Sequence, residues 1–326
     1  MLTAQSEGKR LEKKLGLATR DAYGQALLEL GRRNPKIVVL DADLSSSTRT
    51  SLFAKEFPER FLNVGISEAN MVGMAGGLAS SGKIPFISSF ACFVTCKGYD
   101  QLRMAVAYPH LNVKVVASHG GISVGEDGTS QQSIEDVALM TSLPGFTVIV
   151  PADEHAARAL VTQAADWEGP VYIRTGRPKC PLLYEPSSPF SIGKGVLLRT
   201  GRDVTIAANG LLVFEALAAA EELESSGISA SVVDLHTVKP LDEALIVSQA
   251  KVTGAVVTAE EHQIWGGLGS AVARILAKTQ PVPVEFVAIQ DTYAESGKPE
   301  ELFAKYGLTS QQIVQAARRV VTRKRS

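Results

Sequence analysis

Four short polar segments gather side chains that could do chemistry. Asp41-Ala-Asp43-Leu-Ser-Ser-Ser47 joins acids to hydroxyls, and Val64-Gly-Ile-Ser-Glu68 ends on an acid. Ser118-His119-Gly-Gly sets an imidazole before two glycines, and Arg174-Thr-Gly-Arg177 carries two cations. Glu68 could move a proton, yet an acid one residue after a Ser67 N-cap is favoured by the helix dipole whatever its role. Arg20, in the first turn of a helix, opposes that dipole and so suggests an anion nearby, although Asp21 could neutralise it. His119 could bind a ligand or simply be hydrogen-bonded at the surface. Arg177 could be a solvated loop arginine. Phe90 and Phe93 could wall a cofactor or fill the core. Gly125-Glu-Asp127-Gly, with Thr129, Ser130 and Gln131, could bond a sugar or merely turn the chain. It is no phosphate loop, because the lysine and hydroxyl pair of that motif are absent.

The elements that must position these residues follow from periodicity. Thr19 is expected to cap a helix through Ala22, Ala26, Leu27 and Leu30, with regular structure beginning there. Asn34-Pro35 ends that helix before the apolar run Ile37 to Leu40. A glycine-rich helix follows Ser67, then strands at 84–88 and 113–117 around a helix near 99–107. A helix over 133–141, a strand at 147–150, a helix capped by Asp153 and a strand at 171–174 complete this half. Such alternation predicts a parallel sheet covered on both faces. Pro178, Pro181, Pro186 and Pro189 with Ser187 and Ser188 read as a linker without sheet or helix. Beyond Gly193 strands at 204–208, 230–235, 255–259 and 284–289 predict a second, smaller, mostly parallel α/β domain. The expected division is a leader over 1–16, a first domain over 17–180, a linker over 181–192 and a second domain over 193–326.

Composition excludes several classes. The chain has 326 residues, 45% hydrophobic and 21% charged, which suffices for two cores. A formal charge of -1 and a pI near 6.5 give no field that draws a protein onto nucleic acid. The basic stretch 318–325 reads as a solvated tail. Three cysteines, Cys92, Cys96 and Cys180, form no paired framework and fit a reducing cytoplasm. Cys92 and Cys96 lack the histidine or second cysteine pair of a zinc site, so no metal is expected on this chain. No stretch reaches the roughly 18 apolar residues of a membrane span.

Taken in order, ATRDAYGQAL from Ala18, VGISEANMVGMAGGLA around Glu68, PFISSFACF to Phe93, YDQLRMA, SHGGISVGEDGTSQ and YIRTGRP resemble transketolase. SGKPEELFAKYGL is similar to the end of that family's third domain. The resemblance implies a thiamine-diphosphate-binding fold: a pyrimidine domain with a mostly parallel sheet, followed by the smaller α/β transketolase C-terminal domain. It implies that Glu68 hydrogen-bonds the pyrimidine nitrogen of thiamine diphosphate, favouring the imino tautomer whose nitrogen takes the thiazolium C2 proton. Phe90 and Phe93 match the aromatic pair around the pyrimidine. Cys96 departs from the tyrosine or arginine frequent at that third wall.

Arg20, Ser47, His119 and Arg177 match the group that grips the phosphate of a sugar phosphate. Asp127 matches the reader of a sugar hydroxyl, and Gln131 stands where other members use histidine, as in the animal-type enzymes. Asp43 matches an acid near the thiazolium. The family's diphosphate-binding domain has no counterpart in this sequence. The resemblance therefore implies an N-terminal transketolase subunit as partner, in an α2β2 assembly. That partner is expected to bind Mg2+ or Ca2+ and the diphosphate of the shared cofactor. The activity implied is transfer of a two-carbon ketol unit in the pentose phosphate pathway. Two alternatives stand beside it. A β subunit of a 2-oxo-acid dehydrogenase E1 component has the same domain plan, but no reason to place four phosphate-gripping residues around one anion. A non-catalytic partner subunit would have no need of Glu68.

Overall fold

The computed structural model describes residues 12–325, so residues 1–11 of the expected leader lie outside them. Strands in chain order are Leu15–Ala18 (β1), Ile37–Asp41 (β2), Phe61–Asn63 (β3), Ile84–Ser88 (β4), Lys114–Ala117 (β5), Thr147–Ile149 (β6), Val171–Arg174 (β7) and Lys179–Pro181 (β8). The second half adds Val196–Arg199 (β9), Val204–Ala208 (β10), Ala230–Asp234 (β11), Thr237–Lys239 (β12), Val256–Gln263 (β13) and Val284–Ile289 (β14). One sheet has seven strands in the order β12-β6-β7-β5-β4-β2-β3 and is parallel except for β12. A second sheet, β14-β13-β10-β11-β9, is parallel apart from β9. The fold is thus mixed α/β with a mostly parallel larger sheet and a smaller one, as the alternation predicts.

The central strands β2, β5 and β7 are buried along their whole length, which is why they are mostly apolar, with Asp41, Lys114 and Arg174 at their ends. The helix Thr19–Arg33 turns Ala22, Tyr23, Ala26, Leu27 and Leu30 inward at helical spacing. Leu27 is fully buried, so Leu27→Ala would cost about 2–5 kcal/mol. Asp153 caps the helix Glu154–Asp166 by accepting Ala156 N at 2.8 Å, as its sequence position predicts.

Four expectations fail. Thr19 is not a cap: Ala18 occupies that position, and the Thr19 hydroxyl accepts Gly176 N at 2.7 Å across the fold. Regular structure starts before it, because β1 pairs antiparallel with β8. Pro181 ends that two-stranded ribbon, where a residue without N–H is tolerated, so the proline cluster does carry a strand. The chain just beyond Pro181 is pinned: Asp153 accepts Leu183 N and Tyr184 N, and Tyr184 donates to Asp234 Oδ2 at 2.6 Å. The basic stretch near the C-terminus is not a free tail but part of the helix Ser310–Arg325. Its Arg319 and Arg323 pair with Glu285, while Ile313, Ala317 and Val320 are buried.

Strands β7, β5, β4, β2 and β3 are neighbours and parallel, so their C-terminal ends share one edge of the sheet. That edge is where ligands bind in open α/β sheets. It delivers the four polar segments, together with Phe90 after β4, to one place. Among the described residues no helix is long and apolar enough to cross a membrane.

Candidate functional site

The loop after β2 is shaped by a buried acid. Asp41 accepts Leu44 N at 2.6 Å, Thr48 Oγ1 at 2.7 Å and Thr50 Oγ1 at 2.8 Å. Burial pushes its carboxyl up from the ordinary range against the pull of these donors. The turn so formed holds Asp43 and Arg49 at positive φ, 65° and 71°, conformations that cost energy and persist only where surroundings impose them. Asp43 is exposed at the rim and accepts Asn63 Nδ2 at 3.0 Å. Arg49 is held by Asp21 at 2.5 Å and donates to Ser46 O at 2.9 Å. Ser47 meets Arg20 through its carbonyl, which accepts Arg20 Nη1 at 3.2 Å.

Glu68 opens the helix Glu68–Ser80 and is 2% exposed. Ser67 does not cap that helix; its hydroxyl donates back to Val64 O. Ser89, just after β4, donates to Glu68 Oε1 at 3.2 Å, and the Lys97 ammonium stands 3.9 Å from Oε2. Lys97 Nζ also lies 4.4 Å above the ring of Phe93. Phe90 is 8% exposed between Phe93, at 5.5 Å, and the imidazole of His119, at 3.8 Å. Phe93 is only half-buried. A buried carboxylate beside a half-buried ring with a second ring behind it fits a flat aminopyrimidine.

His119 follows β5 with φ of 60°. Its Nδ1 is 2.8 Å from Ser118 Oγ, and Nε2 is 3.4 Å from Arg20 Nη1. Because a guanidinium only donates, Nε2 accepts and the proton sits on Nδ1. Burial, then the charges of Arg20, Arg177 and Arg49, push this imidazole down to about 3, so it is neutral at physiological pH. Arg20 is itself lowered by burial and then by Arg49, and its Nε is buried without an acceptor. A donor left in that state among three guanidinium groups fits an anionic ligand. Arg177 donates to Val124 O at 2.5 Å and lies 3.3 Å from Glu126 and 3.8 Å from Asp127.

The expected residues thus fall into two adjoining groups. Glu68, Phe90 and Phe93 form one. Arg20, Ser47, His119, Asp127 and Arg177 form the other, joined to the first through the Phe90–His119 stack. Asp43 stays at the rim. Gln131 belongs to a neighbouring loop, where Ser130 donates to its side chain and Cys92 Sγ lies 3.4 Å from its carbonyl. Cys96 is exposed, 4.0 Å from Glu135. Burial raises both thiols, Cys92 to about 12, which makes neither a ready nucleophile. Among the described residues no group of three or more His, Cys, Asp or Glu could hold a metal ion. Sequence reasoning missed Ser89, Lys97 and Arg49. Arg49 follows the hydroxyl run Ser45–Thr48 directly, which is the one signal available for it.

His262 is buried on β13, where Nε2 accepts Ala138 N and Nδ1 donates to Gln263 O. Both nitrogens are satisfied structurally.

Comparison with known proteins bears on this geometry. The family description "Transketolase, pyrimidine binding domain" matches residues 16–181, and "Transketolase, C-terminal domain" matches 193–313. A protein of Methanocaldococcus jannaschii named as a transketolase C-terminal section is 48% identical over 297 residues, covering 90% of this chain and 93% of that one. A 6-deoxy-6-sulfo-D-fructose transketolase subunit of Clostridium sp. is 46% identical over 305 residues, covering 94% and 95%. Transketolase of Homo sapiens is 40% identical over 311 residues, and the chain spans 49% of its length. A solved split-gene transketolase, described as an inactive beta4 tetramer, superposes with a TM-score of 0.89 at 52% identity, covering 94% of this chain and 99% of that one.

Proposed function

We infer the function from family and site together: this chain belongs to the transketolase family, of which it carries the pyrimidine-binding and C-terminal domains. It is accordingly a transketolase subunit whose activity depends on thiamine diphosphate. Our proposal is that it works as the C-terminal subunit of a two-chain enzyme moving a two-carbon ketol unit between sugar phosphates. An N-terminal-type subunit, in an α2β2 assembly, would bring the diphosphate and metal sites. The single observation that carries this reading is the Phe90–His119 stack, which sets a cofactor-type pocket directly against a cluster of three arginines.

When bound, thiamine diphosphate supplies the acidic thiazolium carbon on which ketol chemistry depends. In this reading Glu68, oriented by Ser89, holds a proton at the pyrimidine nitrogen, and Phe93 offers its face to the ring. Arg20 and Arg177 donate to the substrate phosphate, with neutral His119 and Ser47 beside them. Asp127 accepts a sugar hydroxyl, Gln131 stands near the reacting oxygens, and Asp43 lies near the thiazolium side. Three unpaired cysteines, Cys92, Cys96 and Cys180, suit a cytoplasmic setting.

The relative from Clostridium sp. is named for a sulfosugar, whose sulfonate is an anion of similar shape to phosphate. A sulfoketose is therefore the second reading for the anion. The test is co-expression with an N-terminal-type transketolase subunit, followed by ketol transfer from xylulose 5-phosphate, fructose 6-phosphate or 6-deoxy-6-sulfofructose. Turnover of the phosphorylated donors only by the assembled pair is expected. Full activity of this chain alone would refute the partnership. A preference for the sulfonate would reassign the substrate, and pyruvate decarboxylation in place of ketol transfer would favour the oxo-acid alternative.

A further inference from the structure

The anion pocket is braced from behind by the second sheet, and we propose that Glu261 is the positioning residue that does so. The inference rests on the sugar-phosphate reading above. Glu261 lies on β13, is buried, and accepts Ser123 N at 2.6 Å. The carbonyl of the following residue, Val124 O, is the acceptor that holds Arg177 at 2.5 Å. Four residues before Ser123 stands His119. One buried carboxylate therefore fixes the short segment that bears His119 at one end and anchors Arg177 at the other.

Arg174 closes the arrangement. It donates Nη1 to Glu261 O at 2.7 Å and Nη2 to Ser133 O at 2.6 Å, and Ser133 O also accepts Gly121 N at 2.6 Å. Its Nε stands 3.2 Å from Asp136, which accepts the Tyr172 hydroxyl. A Cβ at Gly120 would overlap the Arg174 guanidinium, and one at Gly121 would overlap the Glu261 carboxylate. The two glycines after His119 are thus required by the side chains behind them, and Gly121 also has φ of 83°. Burial pushes the Glu261 carboxyl up, opposed by Arg174 and by the Ser123 N–H. Arg174 meets Glu261 through the main-chain carbonyl, so joining the two halves of the chain does not by itself call for a carboxylate side chain here. The Ser123 N–H does, because it needs an acceptor oxygen at this place.

The decisive measurement uses the assembled enzyme with thiamine diphosphate and Mg2+, glycolaldehyde as acceptor, and two donors that differ only in the phosphate, xylulose 5-phosphate and xylulose. Glu261→Ala and Glu261→Asp should lower kcat/KM for the phosphorylated donor by about ten- to a hundredfold, mainly through KM, and change that for xylulose by less than about threefold. Glu261→Gln keeps an oxygen for Ser123 N and should restore most of the discrimination. Should the alanine variant fail to fold, as a melting curve would reveal, the aspartate and glutamine variants carry the comparison. Equal losses on both donors, or an aspartate variant with wild-type discrimination, would overturn the positioning role and leave the sugar-phosphate reading intact. A wild-type enzyme indifferent to the phosphate would overturn both.

Discussion

The ring of Phe90 lies on the imidazole of His119, with centroids 3.8 Å apart and planes inclined by 23°. One face of Phe90 is thus taken up by His119, and in the proposed reading half-buried Phe93 is the aromatic side chain left to meet the cofactor. The two phenylalanines should differ when removed. Phe93→Ala should weaken thiamine diphosphate by about five- to tenfold, on the order of 1 kcal/mol, with donor KM little changed. Phe90→Ala should raise both the cofactor's and the phosphorylated donor's KM, because His119 loses its support. Titrating each ligand against activity of the assembled enzyme separates the two outcomes.

Glu68→Gln keeps the shape of the side chain and the Ser89 contact but removes the charge. A loss of roughly 10²- to 10⁴-fold in ketol transfer is expected, with an unchanged melting temperature for the subunit. Activity close to wild type in the assembled variant would make this chain the non-catalytic member of the pair.

Arg177→Ala should cost about 2–5 kcal/mol, read as apparent affinity for the phosphorylated donor. Raising salt should weaken wild-type donor binding more than that of the variant, since one charge contact has gone. Initial-rate kinetics at two ionic strengths provide the check.

Asp234 gives a pH signature away from the site. Burial pushes its carboxyl up to about 7 from an ordinary 3.8, against the pull of the Tyr184 hydroxyl. Between those values the unfolded chain has released the proton and the folded chain keeps it. Its contribution to stability is therefore full below about pH 4 and is lost as pH rises through 7. Asp234→Asn retains an acceptor for Tyr184 and should gain on wild type between pH 4 and pH 8 by on the order of 1–4 kcal/mol. His236, pushed down to about 4 from 6.5 by burial, has the opposite slope below pH 6.5, but it is common to both proteins. Urea unfolding at the two pH values measures the difference.

Much of the fold and the site is legible in the sequence for a physical reason. Strands β2, β4, β5 and β7 are almost wholly sequestered from water, so they are built mostly of apolar residues, and the loops after them have to meet at one edge. The failures share another cause. Thr19 looks like a cap because its neighbours are helical, yet its hydroxyl serves Gly176, 157 residues away. β1 and β3 have only four and three residues, too few to show a strand period of their own. Glu261 reads as one more acid in a charged strand until Arg174, 87 residues earlier, is folded against it. Local pattern carries periodicity and turn chemistry, whereas contacts of this range exist only in the closed fold.

The strand β12 belongs to the second half of the chain but lies antiparallel along β6, at the border of the first sheet. Severing the polypeptide between residues 181 and 192 and expressing only the front portion would strip that border and leave the amides and carbonyls of Thr147–Ile149 that face β12 bare. A naked border of this kind is a template for edge-to-edge aggregation. A shortened gene product is better ended beyond Lys239 than at the prolines.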